Sequence, residues 1–259
     1  MSLEMKPPFW VVGTPRSGTT FLARVLNNHR DIFLTNETRV MLLFNRMLTQ
    51  LPKQRSLLAT SRDEILTTLW NEVPAVVEAV YRDLGARPDQ RWGDKNPHYA
   101  DSKNDPEALS TIDRLFPESQ FVHLIRDPRA VVGSIKQKGW LSLEDSVATW
   151  RNHVSHARDF GLSIGPSRYY EIRYEALVPD GVEEVGRVLD FLGLPPDDAV
   201  RELLEQEEVE RTPVSWPIGE TGLLGAEAWA ERLNDEELRY VESELEDMML
   251  EFGYERVSV

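Results

Sequence analysis

The chain has 259 residues, 41% hydrophobic and 28% charged, with a net charge of −15; that suits a single α/β domain over 1–259 with its own core. So acidic a chain is a poor general polyanion binder, because nucleic-acid affinity rests on Lys and Arg neutralising phosphates, and no nucleic-acid partner is expected. It holds no cysteine, which excludes disulfides, a thiolate metal site and a cysteine nucleophile. No apolar run approaches the roughly 20 residues of a membrane span. Met1 to Pro8 carries Glu4, Lys6 and two prolines rather than a leader pattern, so the expectation is a cytoplasmic protein without a membrane partner.

Phe9 to Val12 is a short apolar run that predicts a buried strand, and Thr19 onward has helical spacing with Phe21, Leu22, Val25 and Leu26 on one stripe. Gly13 to Gly18 joins them. A strand, a glycine-bounded loop and a helix in that order build an anion site, since loop N–H groups and the helix N-terminus both favour negative charge. The spacing nearly fits GxxxxGK[ST], but Thr19 stands at the lysine position and the loop's cation is Arg16. The loop therefore suits a phosphate-like group better than Mg-NTP, whose β/γ-phosphates the lysine would reach. The bland alternative is an ordinary strand–turn–helix corner.

Asp31 to Thr35 predicts a second strand, followed by Asn36 to Arg39 and an apolar helix from Val40 to about Leu51. Glu37 at that junction has two readings: a first-turn acid favoured by the helix dipole, or a general base at the carboxyl end of a parallel sheet. Residues 52–90 read as a helical insertion able to cap the substrate side, with Pro74 kinking or dividing the helix over 63–81. Arg91 to Lys95 predicts a strand ending in a second candidate cation. His98 and Tyr99 follow in a loop, His98 as a candidate acid–base residue or simply a loop histidine with a satisfied hydrogen bond.

Gln120 to Ile125 is the clearest apolar run and predicts a central strand. Arg126 stands at its carboxyl edge, Pro128 near the start of a helix running to Lys138, and Ser134 in that helix's second turn, so Arg126 and Ser134 can reach one phosphate. Alone, each reads equally as a surface residue. Leu143 to Gly161 predicts a long helix holding Trp150 and His153. Arg168 to Tyr174 alternates like a strand; 180–192 and 196–207 read as helices, 212–225 as an ordered loop, and 234–252 as a last helix capped by Asn234. The alternation of strands and helices predicts a three-layer α/β/α fold with a mainly parallel central sheet, P-loop NTPase-like, with a helical insertion.

Three stretches together resemble the sulfotransferases that use 3′-phosphoadenosine-5′-phosphosulfate (PAPS). Pro15 to Thr20 is similar to the family's 5′-phosphosulfate loop, Phe121 to Ser134 to its 3′-phosphate site, and Arg173 to Val178 to a later strand end whose tyrosine, here Tyr174, lies near the adenine. Within the family, Gly13 to Val40 most resembles the tyrosylprotein sulfotransferases and their bacterial relatives, which carry an acidic residue in Glu-Thr-Arg as at Glu37 to Arg39.

The resemblance implies transfer of a sulfuryl group from PAPS to a small-molecule hydroxyl, an amine being the less favoured acceptor, with PAP as product and no metal. It implies Glu37 as base, and Arg16 and Lys95 as cations at the transferring group. Arg16, Ser17, Gly18, Thr19, Thr20, Arg126, Ser134 and Tyr174 become cofactor-binding, and Arg39, His98, Tyr99 and His153 lie on the acceptor side. A histidine near His98 serves as base in the soluble branch, so His98 stays a rival to Glu37. That branch also closes on the 3′-phosphate with a late Arg-Lys-Gly loop, whereas 217–225 here has no Arg or Lys. A kinase on a similar loop, or a non-catalytic nucleotide-binding relative, are the competing readings.

Overall fold

A computed structural model describes residues 5–53, 62–210 and 232–257. The loop expected over 212–225, and with it the comparison with the late Arg-Lys-Gly loop, lies outside those residues, as do 54–61 of the expected insertion.

Five strands form one parallel sheet in the order β2-β3-β1-β4-β5, namely β1 (Phe9–Gly13), β2 (Ile32–Asn36), β3 (Arg91–Lys95), β4 (Gln120–Ile125) and β5 (Tyr169–Arg173). Every residue of β1 is buried, as a parallel strand covered on both faces requires. Its side chains alternate between two cores. Trp10 and Val12 face a layer built from α2 (Val40–Gln50), α3 (Arg62–Asp83) and α4 (Ala108–Leu115). Phe9 and Val11 face α1 (Thr19–Leu26), α7 (Tyr174–Phe191) and α8 (Asp198–Glu210). A third cluster joins Ile125 to α5 (Pro128–Gln137), α6 (Leu143–Ile164), α9 (Asp235–Glu244) and α10 (Glu246–Glu251). The expected three-layer parallel α/β architecture is the one observed.

The first core is anchored by Trp10, whose ring meets Tyr81, Trp92 and Tyr99 edge-on at centroid distances of 6.4, 6.2 and 5.9 Å. Truncating such a residue costs about 3–5 kcal/mol. Trp92, like Trp150, is wholly buried.

Three expectations change. Pro74 does not divide α3, which runs unbroken over 22 residues; Val73, Val77 and Tyr81 are buried on both sides of it, and that packing offsets the roughly 3 kcal/mol a helix-interior proline costs. The same burial makes α3 part of the layer over Trp10 and Trp92. Second, the strand expected to reach Tyr174 ends at Arg173 and a helical stretch starts at Tyr174; α7 then kinks at Asp180 (φ −128°, ψ 39°), where the helix expected over 180–192 does begin. Third, the last helix breaks at Leu245 (φ −118°, ψ 12°) into α9 and α10, although Asn234 does cap α9, accepting from the Glu236 and Glu237 amides.

Ligands of open α/β sheets bind beyond the carboxyl ends of the strands where the connections diverge. Here β1 leads towards the β2 side and β4, beside it, towards β5. The β1–α1 and β4–α5 loops therefore face each other across that crevice, with the ends of β2 and β3 next to them.

Candidate nucleotide and catalytic site

The β1–α1 loop is shaped by close approach. A Cβ on Gly18, whose φ is +96°, would stand 2.5 Å from the Tyr174 ring, so only glycine allows this loop to lie on that ring. Ser17 N–H donates to Thr14 O at 3.0 Å, closing the turn, and Arg16 sits at φ +72°. Among the described residues no side chain caps α1 at Gly18, which leaves its N-terminal amides for an anion. The hydroxyls of Thr14 and Ser17 are buried without a hydrogen-bond partner among the described residues.

Arg126 leaves β4 only 5% exposed. Its guanidinium stacks on the Tyr174 ring at 4.0 Å and Nη1 donates to Arg16 O at 3.3 Å, while Nε and Nη2 are buried without a partner among the described residues. Removing a charge from water without pairing it costs several kcal/mol, so this geometry calls for an anion. The surroundings fix it. Trp150 Nε1 donates to Arg126 O at 3.0 Å, and Glu175, in the first turn of α7, accepts from Asp127 N–H at 2.9 Å and from the Tyr254 hydroxyl at 2.8 Å. Arg16 Nε donates to Ser134 Oγ at 2.9 Å. Four residues singled out in the sequence, Arg16, Arg126, Ser134 and Tyr174, thus meet in one cluster. The side chain of Arg16 leaves the loop and joins the Ser134 end. Thr19 is buried and Thr20 half-buried in the first turn of α1.

At the other side of the loop the parallel register sets Lys95 beside both Asn36 and Val11. Lys95 Nζ donates to Glu37 Oε1 at 2.6 Å, with Lys95 1% and Glu37 39% exposed. Burial lowers the Lys95 pKa, opposed by the bond to Glu37. Glu37 and Arg39 lie at φ +57° and +60°, in the left-handed region that L-residues rarely occupy and that clusters at functional sites. Asp94, wholly buried, lies beneath them. It accepts from Thr35 Oγ1 at 2.7 Å, Tyr99 OH at 2.8 Å and Thr38 N–H at 3.3 Å. Burial pushes its carboxyl up, against these three donors and Lys95.

A cavity of about 680 Å³ opens next to the loop. Its lining combines apolar Pro15, Ile135, Trp140, Leu141 and Ala148 with polar His98, Asp101, Lys103, Asn104, Asp145, Thr149, Asn152 and His153. Trp140 is 59% exposed and lies under the Arg16 guanidinium at 5.7 Å, so it borders both the cluster and the cavity. Burial lowers the His153 pKa to about 4 against the pull of Asp101, and its Nδ1 lies 3.5 Å from Gly13 O. His98 Nδ1 lies 4.0 Å from Asp101 Oδ2. Of the four residues expected on the acceptor side, His98 and His153 line the cavity. Arg39 does not. Tyr99 is a correction: the 3-10 turn over Pro97–Ala100 turns it inward, 0% exposed with its hydroxyl on Asp94, so it supports the site from behind. Glu37 and Lys95 are not among the residues that line the cavity.

Sequence reasoning missed Asp94. Its one visible signal was a carboxylate inside a strand next to Lys95. Among the described residues no group of three or more His, Asp or Glu is placed to hold a metal ion, and no helix is long and apolar enough to cross a membrane.

Comparison with known proteins adds the family. The protein-tyrosine sulfotransferase of Drosophila melanogaster is 26% identical over 82% of this chain, which spans 42% of that protein. The nodulation protein NoeE of Sinorhizobium fredii is 27% identical over 95% of this chain, which spans 66% of it. The chain therefore covers less than two thirds of the length of these curated relatives. The crystal structure of mouse sulfotransferase SULT7A1 complexed with PAP superposes with a TM-score of 0.58 at 14% identity, covering 96% of this chain and 86% of that one, a likeness of fold. The model of the sulfotransferase family matches residues 7–198, a span that takes in the β1–α1 loop, the Glu37–Lys95 pair and the Arg126–Ser134 cluster, and by that match this chain belongs to the sulfotransferase family.

Proposed function

We propose that the chain transfers a sulfuryl group from PAPS to the hydroxyl of a small molecule. The observation that carries this is Arg126: a buried guanidinium, stacked on an aromatic ring, with two nitrogens, Nε and Nη2, that donate to no protein acceptor among the described residues. A nucleotide with a phosphate at each end of its ribose fits those donors and the second set in the β1–α1 loop. Arg126, Ser134 and the Arg16 side chain would hold the 3′-phosphate. Ser17, Thr19, Thr20 and the amides of Gly18 and α1 would hold the 5′ end, with Tyr174 at the base side. When bound, PAPS supplies the sulfuryl group and a phosphate leaving group. The Thr19 side chain lacks the amine that grips NTP phosphates.

Glu37 does the proton work. Lys95 holds its Oε1, and Oε2 takes no hydrogen bond from the described residues, which leaves it for the acceptor hydroxyl. A positioned general base contributes about 10²–10⁴-fold. Lys95, buried at the sheet edge, also offers a positive charge where the leaving phosphate gains negative charge. The acceptor lies in the 680 Å³ cavity, a size in the range of small-molecule sites, with its apolar part against Trp140 and Leu141.

A second assignment of the base has one observation in its favour: His98 lines the cavity and Glu37 does not. Glu37→Gln and His98→Gln, assayed with sulfur-35 PAPS against a library of hydroxyl compounds that includes a tyrosine peptide, decide between them. Loss of transfer in Glu37→Gln alone supports Glu37. Loss in His98→Gln alone moves the base to the cavity. Thermal stabilisation by PAP but not by Mg-ATP is expected of the binding site itself; stabilisation by Mg-ATP alone would replace sulfuryl with phosphoryl transfer.

A further inference from the structure

Glu37 is held in an unfavourable backbone conformation, and something must hold it there. A non-glycine residue in the left-handed region carries roughly 1–3 kcal/mol of strain, which the surroundings must over-determine. Two such residues, Glu37 at φ +57° and Arg39 at φ +60°, flank Thr38. Among the described residues, backbone hydrogen bonds restrain this segment at Glu37, Thr38 and Arg39, the last accepting from Leu43 N–H at 3.0 Å as α2 begins. Glu37 N–H donates to Lys95 O at 2.9 Å, and Thr38 N–H donates to Asp94 Oδ1. Asp94 Oδ1 also takes the Thr35 hydroxyl, two residues before Glu37, and Oδ2 takes the Tyr99 hydroxyl from the turn that follows β3. One buried carboxylate therefore ties the end of β2, the main chain just past Glu37, and the turn that holds His98.

Strand alternation explains the division of labour. Asp94 and Lys95 are neighbours in β3, so their side chains leave opposite faces of the sheet. Lys95 meets the Glu37 carboxylate on one side, and Asp94 grips the Glu37–Arg39 backbone from the other. All three partners of Asp94 donate, so both of its oxygens are needed as acceptors. Asparagine has the same shape but replaces one acceptor by two donors.

We propose that Asp94 is a positioning residue for the sulfuryl-transfer step: it holds the Glu37 backbone in the left-handed region, and so aims the Glu37 carboxylate at Lys95 and the acceptor, without touching either reactant. The role rests on the reading of Glu37 as base. Its structural part, control of the Glu37 backbone, can be read without any turnover.

The test is Asp94→Asn, with crystal structures of variant and wild type, PAP affinity by calorimetry, and PAP release from PAPS with 2-naphthol as the probe acceptor. The expected structure has Glu37 out of the left-handed region and its contact with Lys95 broken. The expected chemistry is unchanged PAP affinity with kcat lower by about 10²-fold, the scale of a roughly 1 Å misplacement of a catalytic group. In a Glu37→Gln background, Asp94→Asn is expected to cause no further loss, because it acts through Glu37. A merely structural role predicts additive losses. Glu37 unmoved against Lys95 in the variant overturns the proposal. If Glu37→Gln alone turns over normally, the base assignment fails, while the crystal structure still reads the positioning. Should Asp94→Asn not fold, Thr35→Val and Tyr99→Phe each strip one donor from the carboxylate; the Glu37–Lys95 contact unchanged in both would equally overturn it.

Discussion

Replacing Arg126 by methionine should separate binding from folding. Arg126 is 5% exposed, with Nε and Nη2 of its guanidinium unpaired among the described residues. Hydrogen bonds to a charged group are worth about 1.5–3 kcal/mol each, so losing two of them to a phosphate removes roughly 3–6 kcal/mol, or about 10²–10⁴ in PAP affinity. In the ligand-free protein the signs differ. The variant loses the stacking on Tyr174, about 0.5–2 kcal/mol, and the bond to Arg16 O, about 1 kcal/mol. It also sheds a buried charge whose uncompensated burial costs several kcal/mol. The Tm without ligand is therefore expected to hold or rise, where 1 kcal/mol is about 2–4 °C at this size, while the shift produced by PAP disappears. Calorimetry for Kd and scanning calorimetry for Tm read both. A variant that loses about 10 °C without ligand, yet binds PAP as the wild type does, would refute the reasoning.

Four further outcomes follow. Lys95→Met should lower kcat far more than PAP affinity, because Lys95 meets Glu37 and answers charge that builds on the leaving phosphate only during transfer; an equal loss in both would make it a ground-state binder of the nucleotide instead. Gly18→Ala drives a Cβ to 2.5 Å from the Tyr174 ring at φ +96° and should destabilise by about 1–3 kcal/mol, read by urea unfolding. Trp140→Ala, at a residue 59% exposed in the cavity wall, should raise acceptor KM with Tm unchanged. Finally, burial lowers the pKa of His123 to about 3 and of His153 to about 4, from 6.5. Between those values and 6.5 the unfolded chain binds the protons and the folded one does not, so stability present above pH 6.5 is lost as pH falls, by about 2 kcal/mol per histidine at pH 5. His123→Asn should flatten the fall in unfolding free energy between pH 7 and pH 5 by about that amount; an unchanged fall would show that His123 is not the group.

The parts of this site that a sequence displays are those set by spacing along the chain. The loop from Gly13 to Thr20 and the pair Arg126 and Ser134 are local patterns at a strand end and a helix start. What stayed hidden depends on register between strands distant in sequence. Nothing along the chain says that Thr35 stands opposite Asp94, or that the Arg16 side chain crosses to Ser134 rather than staying in its own loop. Tyr99 misled for a related reason: a tyrosine after Asn-Pro-His reads as a loop residue on the acceptor side, but Asn96 caps a 3-10 turn there, accepting from His98 N–H, and that turn points the ring into the core. The break at Leu245 has no glycine or proline to announce it.

The positions of the nucleotide's two phosphates separate one assignment of the site from any other. A crystal structure of the protein with PAP is predicted to show the 3′-phosphate on Arg126 Nε and Nη2 with Ser134 and Arg16, and the 5′-phosphate over the amides of Gly18 and α1. PAP bound with neither phosphate on Arg126 would contradict this assignment.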